Sequence, residues 1–336
     1  MVKTLHIIII DGTLSRLEKG RETNAGLLFK LLREVLPRTD LNVFYHPGIQ
    51  GRGWQKWLNV LAGIGINLTI CAGYSQLARR YSPDDKILLF GFSRGAYAVR
   101  SLAGMIGRVG LLRAEHMNER RVRRAFRHYE ANSASPAAAA FTRAYCHENI
   151  QIEMIGVWDT VKALGIPYPI LNRIAPMATE FHDHQLGPFI ANAYQALALD
   201  ENRLSYQPIL WNCTQKWEVH VEQRWFSGAH ADIGGHLEDY HATRPLSNIP
   251  LLWMLEKGEN CGLPLPQNWR ARFETDPEAP MMGPYANTSK FFLFRAPRRA
   301  CQMPCEALHP SVAERRQRIA SYHPRAILGH NKIPDI

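Results

Sequence analysis

One segment constrains the fold more than any other: residues 86–97, which read Lys-Ile-Leu-Leu-Phe-Gly-Phe-Ser-Arg-Gly-Ala-Tyr. Its first five residues are mostly apolar, which is typical of a strand buried on both faces of a parallel sheet. Small residues follow Arg94 and predict a helix that packs close to that sheet. Ser93 lies between the two, in a Gly-x-Ser-x-Gly turn. Strand, turn and helix together indicate a nucleophile elbow, in which a serine hydroxyl points into a cleft.

Apolar runs and helical periodicity alternate along the rest of the chain. Strands are expected at residues 5–10, 41–45, 86–90, 152–158, 217–226 and 290–294. Helices are expected at residues 23–34, 70–81, 94–107, 251–256 and 312–321. This alternation predicts an α/β fold of the α/β-hydrolase class, a doubly wound, mostly parallel sheet with helices on both faces.

The domain organisation follows from what the sequence lacks. Its 336 residues contain no Gly/Ser/Pro-rich linker, repeat or long charge run that would divide them. We therefore expect a single catalytic domain over residues 1–336. Residues 163–190 include several prolines and are mixed in polarity, which makes them a candidate lid or cap insertion, with an ordinary surface excursion as the alternative.

A nucleophilic serine needs a base, and the base needs an acid that orients it. In this fold the chain order is serine, acid, histidine, and the three follow the carboxyl ends of strands. Asp159 directly follows the predicted strand at residues 152–158, and His230 follows the next one. Ser93, Asp159 and His230 are therefore the candidate catalytic triad.

Two alternatives to these assignments remain open. Asp232, two residues after His230, is a rival for the acid, or it supports the loop by bonding its backbone. His309 lies late in the chain, where this fold often keeps its base, and is a rival for His230.

The oxyanion of an acyl-transfer reaction needs backbone donors. The amide of Arg94, which follows the serine, is the expected first donor. The predicted first strand ends in Asp11-Gly12-Thr13, and a loop at this place supplies the second donor from Gly12 or Thr13. Asp11 is expected to cap the turn in a supporting role, with metal binding as the alternative.

Metal and cofactor motifs are weak in this sequence. Two groups of His and Asp residues stand out, at positions 182–184 and at positions 230, 232, 236, 239 and 241. Neither follows a template such as His-Glu-x-x-His. We therefore expect no metal and no cofactor.

The charge balance indicates what kind of partner the chain binds. Lysines and arginines number 40 against 30 acidic residues, which gives a net charge of +10. This favours anionic partners, and peripheral contact with an anionic membrane surface is the one that suits an ester substrate. The densest arginine run, at 120, 121, 123, 124 and 127, is expected to spread around a helix. No nucleic-acid motif is present, so no nucleic-acid partner is expected.

The spacing of the cysteines and the length of the apolar segments indicate the cellular compartment. Six cysteines follow no disulfide-framework spacing, which predicts a reduced protein. The apolar run at residues 5–10 is too short for a signal peptide, and no run reaches the length of a membrane span. A cytoplasmic protein is expected, and secretion without a signal peptide stays open.

The sequence resembles a known family, the catalytic domain of bacterial type VI secretion phospholipase effectors of the first lipase class. The matching segments are Ile-Asp-Gly-Thr at 10–13, Thr-Asn at 23–24, Ala-Gly-Tyr at 72–74, the run at 85–90, Gly-Phe-Ser-Arg-Gly-Ala-Tyr at 91–97, Arg-Ser-Leu-Ala-Gly at 100–104, Gly-Val-Trp-Asp-Thr-Val at 156–161, Ala-Leu-Ala-Leu-Asp-Glu at 196–201, Gly-Ala-His-Ala-Asp-Ile-Gly-Gly at 228–235 and His-Pro-Ser-Val at 309–312. The resemblance implies that Ser93, Asp159 and His230 form the triad and that fatty acyl esters of glycerophospholipids are cleaved. One departure is Gln195, where relatives usually have histidine.

The sequence therefore predicts a serine carboxylic-ester hydrolase, lipase-like or phospholipase A-like, that works through an acyl-enzyme. The expected substrate is an ester or a phospholipid. One alternative is an esterase for small esters or thioesters. The other is a binding protein that keeps the hydrolase fold without the chemistry.

Overall fold

The computed structural model describes residues 3–50, 64–131, 135–161, 186–213, 219–286, 289–290 and 292–329. The strands are β1 (Leu5–Ile10), β2 (Leu41–His46), β3 (Lys86–Phe92), β4 (Leu111–Leu112), β5 (Cys146–His147), β6 (Ile152–Trp158), β7 (Ile190–Ala198), β8 (His220–Phe226), β9 (Arg299–Ala300), β10 (Glu306–Leu308) and β11 (Ile327–Leu328). The helices are α1 (Asn24–Glu34), α2 (Ile64–Ala78), α3 (Arg94–Val109), α4 (Glu119–Glu130), α5 (Pro136–Tyr145), α6 (His230–Gly234), α7 (Arg244–Asn260) and α8 (Pro310–Arg318).

A seven-stranded sheet forms the centre of the molecule, in the order β10-β8-β7-β6-β3-β1-β2. Every neighbouring pair in this sheet is parallel. Parallel strands need crossover connections, and α1, α2 and α7 are among the helices that lie between successive strands. The predicted α/β class with a mostly parallel sheet is confirmed.

Alternate side chains of β1 enter two separate hydrophobic clusters, which shows that both faces of the sheet are covered. Ile8 and Ile10 pack with residues of α2, α3, α4 and α5. Ile7 and Ile9 pack with residues of α1 and α7 on the opposite face. All four isoleucines are at most 1% exposed, which explains why residues 7–10 of β1 form a continuous apolar run instead of an alternating one.

Two strand expectations were wrong. Strand β7, at the middle of the sheet, was missed because it mixes alanines with Asn192 and Gln195, polar residues whose side chains bond to neighbouring segments. The strand expected at 290–294 is absent from its described residues 290 and 292–294. There Leu293 and Phe294 are 80% and 49% exposed, so their apolar side chains do not pack in the core against the sheet.

The arginine run also differs from its expectation. It lies on α4, whose buried face is formed by Val122, Ala125, Phe126 and Tyr129. Exposed arginines occupy positions 120, 123, 124 and 127. At 100° per residue these four fall within one arc opposite the buried face. They form a single stripe, which we call the α4 arginine face.

A disulfide joins Cys213 to Cys305, with 6.1 Å between their Cα atoms. The expectation of a fully reduced chain is wrong for this pair. The two cysteines are 92 residues apart in sequence, so no local cysteine motif predicts the bond. It connects the segment before β8 to the loop before β10, at the edge of the sheet.

Most of the candidate lid at 163–190 lies outside the described residues. Only residues 186–190 are described, and Ile190 is the first residue of β7. Within the described ranges, no helix has the length and apolar character needed to cross a membrane.

Candidate active site

Ser93 occupies the turn between β3 and α3 with a backbone φ of 59°. A positive φ is strained for a residue with a Cβ, and such strain is characteristic of functional turns. The Ser93 amide donates to the carbonyl of Trp158 at 3.0 Å, which joins the turn to the end of β6. A Cβ on Gly95 would lie 2.1 Å from the carbonyl oxygen of Ile10. Glycine at this position therefore lets the first turn of α3 lie directly on the end of β1.

The imidazole of His230 bridges the serine and a carboxylate. Its Nε2 lies 2.8 Å from Ser93 Oγ, and its Nδ1 lies 2.6 Å from Asp159 Oδ2. A carboxylate only accepts, so Nδ1 carries the hydrogen and Nε2 is left to accept from the serine hydroxyl. Strand β8 ends four residues earlier than His230, at Phe226, and the histidine is the first residue of the short helix α6.

Asp159 is fully buried and receives four hydrogen bonds. Its Oδ1 accepts from the Ala198 amide at 3.0 Å and from Arg298 Nη1 at 2.7 Å. Its Oδ2 accepts from Arg298 Nη2 at 2.9 Å and from His230. Burial raises the pKa of this carboxyl, but the Arg298 charge and the hydrogen bonds outweigh burial and hold the pKa well below its ordinary value. No sequence motif indicates Arg298, which is 139 residues away from Asp159.

Aromatic rings enclose the imidazole of His230. Phe92 stacks on it at a centroid distance of 4.9 Å, and Tyr206 meets it edge-on at the same distance. Burial lowers the pKa of His230 below 6.5, although Asp159 acts in the opposite direction. The ring is therefore held neutral near pH 7, in the form that accepts a proton.

Three other carboxylates hold the backbone around His230. Glu201 Oε2 accepts from the His230 amide at 3.2 Å. Asp200 Oδ2 accepts from the Gly228 amide at 2.8 Å. Asp232 accepts from the amides of Ala229, Met282 and Gly283 at 2.7, 2.8 and 3.2 Å. Asp232 is thus bonded to backbone, and it is Asp159 that contacts the imidazole.

The rival base, His309, lies away from the serine. Its ring stacks on Phe226 with 4.5 Å between centroids, and its Nδ1 lies 2.8 Å from Ser311 Oγ at the start of α8. Burial lowers the pKa of His309 to about 4. The observed contacts give it a helix-capping position.

Asp11 organises the loop after β1. It accepts hydrogen bonds from the Gly12 amide (2.7 Å) and from the hydroxyls of Ser15 (2.9 Å), Thr23 (2.6 Å) and Tyr45 (2.8 Å). Of the two amides expected as the second oxyanion donor, that of Gly12 donates to Asp11, which leaves Thr13 as the candidate. Thr13 and Arg94 line one small cavity with Asp11, so the loop and the start of α3 face the same space.

The described parts of the chain contain no group of three or more His, Cys, Asp or Glu side chains placed to hold a metal ion. The histidines at 182 and 184 lie outside them.

The comparison with protein families decides where the chain belongs. Residues 3–257 match the family described as T6SS, phospholipase effector Tle1-like, catalytic domain. The chain is a member of this Tle1-like family. Membership confirms the resemblance found in the sequence, and a family of phospholipase effectors implies a hydrolase.

Individual relatives of this Tle1-like chain are distant. An uncharacterized protein of Saccharomyces cerevisiae is 28% identical over 229 residues, which are 60% of this chain and 32% of that protein. The Tle1 effector bound to the VgrG spike of the type 6 secretion system is 21% identical, with 69% of this chain and 51% of that chain covered and a TM-score of 0.38. An uncharacterized protein from Pseudomonas aeruginosa is 16% identical, with coverages of 82% and 50% and a TM-score of 0.45. The chain thus spans about a third of the yeast protein and half of each structure.

Gln195, for which the resemblance led us to expect histidine, lies on β7 next to the turn that carries Asp159. Its side chain is fully buried, accepts from the Thr160 hydroxyl at 3.1 Å and from Arg100 Nη1 at 3.2 Å, and donates to the Ile209 carbonyl at 3.1 Å. Thr160 directly follows Asp159. Gln195 therefore supports the turn formed by Asp159 and Thr160, which we call the acid loop, without touching the imidazole.

Proposed function

We propose that this chain is a serine carboxylic-ester hydrolase, lipase-like or phospholipase A-like, that forms an acyl-enzyme on Ser93. One observation carries the proposal: the unbroken row from Ser93 Oγ to His230 Nε2 (2.8 Å) and from His230 Nδ1 to Asp159 Oδ2 (2.6 Å). This row has the order of contacts that serine nucleophiles need.

In the proposed reaction, Ser93 Oγ attacks the acyl carbonyl carbon while His230 Nε2 takes the hydroxyl proton. The tetrahedral intermediate collapses, the bond to the alcohol oxygen breaks, and His230 returns the proton to that oxygen. Water then attacks the acyl-enzyme, with His230 again taking a proton, and the carboxylic acid leaves as Ser93 recovers its hydrogen. Asp159 keeps Nδ1 protonated and stabilises the imidazolium in both half-reactions.

We assign the oxyanion donors to the amides of Arg94 and Thr13. Arg94 is the first residue of α3, where backbone N–H groups have no acceptor within the helix. The positive end of the helix dipole also favours a developing negative charge. Thr13 is the proposed second donor because the amide of Gly12, the other candidate in the loop after β1, donates to Asp11.

A lipid substrate is supported by an apolar surface next to the triad. Leu204, Leu293 and Phe294 are 44%, 80% and 49% exposed. The Leu204 amide donates to the Phe294 carbonyl at 3.0 Å, so the three form one patch. Tyr206 connects this patch to the site, since it packs on both His230 and Phe292. We propose that this 204/293/294 patch contacts acyl chains at the lipid surface.

Contact with an anionic membrane surface is supported by charge. The net charge is +10, and the α4 arginine face presents four exposed guanidinium groups. Each basic side chain near an anionic lipid surface contributes roughly 1 kcal/mol.

A fluorophosphonate probe tests the chemistry. We expect it to label the wild type and not Ser93→Ala, and Ser93→Ala or His230→Ala to lower kcat on a soluble ester by about 10⁶-fold, as for other triads. Ser101→Ala, eight residues further along α3, is the matched control and should stay labelled. A wild type that neither labels nor hydrolyses any ester would leave a binding protein on this fold.

The substrate class is tested by a chain-length series of esters and by phospholipid vesicles, with Ser93→Ala as the blank. We expect hydrolysis of phospholipids, and a loss on vesicles but not on a soluble ester when Leu293 and Phe294 are both changed to serine. Hydrolysis confined to short soluble esters would remove the phospholipase assignment and keep the esterase.

A further inference from the structure

We propose that Arg298 is a positioning residue, which fixes the carboxylate of Asp159 against His230 and keeps the catalytic base free of its proton in mildly acidic conditions. The inference rests on the triad proposed above. It concerns a residue beyond position 257, where the match to the family ends.

The guanidinium of Arg298 forms two hydrogen bonds with the carboxylate of Asp159. Its Nη1 bonds Asp159 Oδ1 at 2.7 Å and its Nη2 bonds Asp159 Oδ2 at 2.9 Å, the paired geometry that only arginine provides. The same nitrogens also donate to the carbonyls of Ala198 (2.8 Å) and Tyr206. Arg298 is 1% exposed, so these bonds form away from solvent.

These bonds leave Asp159 little freedom. Each of its oxygens accepts two hydrogen bonds, one of them from Arg298, which fixes the plane of the carboxylate. The oxygen that faces His230 can therefore not rotate away from Nδ1. A positioned acid keeps the histidine in the tautomer that the proposed reaction needs.

The charge of Arg298 has a second effect, on the proton affinity of the site. Asp159 and His230 together take up one proton when the imidazole is charged, and they titrate as a pair. A buried cation next to the pair opposes that uptake. Arg298 therefore moves the protonation of the pair to lower pH.

Other charged and titratable groups also face the pair and must be counted. They are Glu201 and Arg203 after β7, Tyr206, and His236 after α6. Glu201 and Arg203 pair with each other at 2.6 Å, so their charges largely cancel. Arg298 is the buried cation that contacts the acid itself.

The same segment of chain provides a matched control. Arg315 is 5% exposed and, like Arg298, donates to two backbone carbonyls, those of Pro277 and Ala279. It does not bond Asp159. Arg315→Gln therefore reports the cost of removing a buried arginine, and Arg298→Gln reports that cost together with any effect on the triad.

The test is the pH profile of kcat/KM on a soluble ester for the wild type, Arg298→Lys, Arg298→Gln and Arg315→Gln. We expect the acid limb of Arg298→Gln to move up by about 1 pH unit or more, which makes its kcat/KM about tenfold lower on that limb. Arg298→Lys, which keeps the charge without the paired geometry, should shift less and lose kcat. The guanidinium of Arg315 packs on Tyr322 and does not bond Asp159, so Arg315→Gln should keep its acid limb at the wild-type pH even though it is less stable.

The proposal is overturned if the acid limb of Arg298→Gln lies at the same pH as the wild-type limb or at a lower pH. If Arg298→Gln does not fold, the comparison of Arg298→Lys with the wild type, in acid-limb pH and in kcat, tests the proposal. A wild-type acid limb above pH 6.5, the ordinary value of histidine, overturns the proposal without any variant. Probe labelling of Ser93 separates the two failures: labelling with an unmoved limb rejects only the role of Arg298, and no labelling rejects the hydrolase as well.

Discussion

The ring of Phe92 stacks on the imidazole of His230 with 30° between their planes. Glycines leave room for this ring: a Cβ built on Gly234 would lie 1.9 Å from it, and one on Gly12 would lie 2.7 Å from it. Phe92 is therefore confined between backbone and imidazole, and a methyl group placed behind it must displace the ring of His230, the proposed base.

We predict that Gly234→Ala lowers kcat/KM on a soluble ester by about 10²-fold, because a shift of about 1 Å in a catalytic group costs that much. Gly73→Ala in α2 is the matched control, since its Cβ would come no nearer than 3.1 Å to the tip of Leu102. Equal activity of the two variants would contradict the packing argument.

Gln195 and Gln223 are in-register neighbours on β7 and β8, and both are fully buried. Gln195 bonds Thr160 in the acid loop, whereas Gln223 bonds the backbone of Trp211. We predict that changing either to leucine lowers the free energy of unfolding by about 1–3 kcal/mol, the cost of unsatisfied buried partners. Only Gln195→Leu should also lower kcat/KM. Urea unfolding and steady-state kinetics check this, and a similar kinetic loss in Gln223→Leu would refute the link to the acid.

Asp85 accepts hydrogen bonds from His6 Nε2 (2.9 Å) and from the amides of Thr4 and Ser82 (both 2.8 Å). Burial raises its pKa, but these bonds outweigh burial and hold the pKa below the ordinary 3.8. We predict that Asp85→Asn lowers the free energy of unfolding at pH 7 by about 1–3 kcal/mol.

The sign of the pH dependence follows from the lowered pKa. The stability that Asp85 contributes is present above the unfolded value of about 4 and is lost as pH falls through the folded value. The gap between wild type and Asp85→Asn in urea unfolding should therefore shrink below pH 4. Asp84→Asn, at an exposed neighbour with φ of 73°, is the control and should leave stability almost unchanged. A gap that persists undiminished to pH 3 would argue against this account.

The Cys213–Cys305 bond closes a long loop, since its two cysteines are 92 positions apart in the sequence. We predict that replacing both cysteines by serine lowers the free energy of unfolding by about 2–4 kcal/mol. Dithiothreitol should reproduce this loss in the wild type and have no effect on the double variant. Titration of six free thiols in unreduced, unfolded protein would show that the bond does not form.

Much of the fold was predictable because buried parallel strands have a simple signature. The strands β1, β3 and β6 are mostly apolar, each with one polar residue at or next to its start (His6, Lys86 and Glu153), and each is followed by a loop with a polar residue at the same edge of the sheet. Strand β7 lacks that signature, since its polar side chains are satisfied by partners that only the folded chain provides. That the whole chain forms one domain stays a prediction.

The candidate site was predictable in its three central residues and not in its surroundings. Ser93, Asp159 and His230 follow strand ends, which chain order and local motif indicate. Arg298 follows no such element and is one of many arginines, so its bond to Asp159 depends on how the last part of the chain folds back. The pairing of Cys213 with Cys305 is hidden for the same reason.

The carboxylates that hold the histidine turn have a practical consequence for shortened versions of the protein. Asp232 bonds the amides of Met282 and Gly283, and Asp200 bonds the hydroxyl of Tyr322 and the amide of Arg325. A fragment cut at residue 257 would retain every triad side chain and lose all four of these tethers. Expression boundaries for this chain therefore have to reach past Arg325.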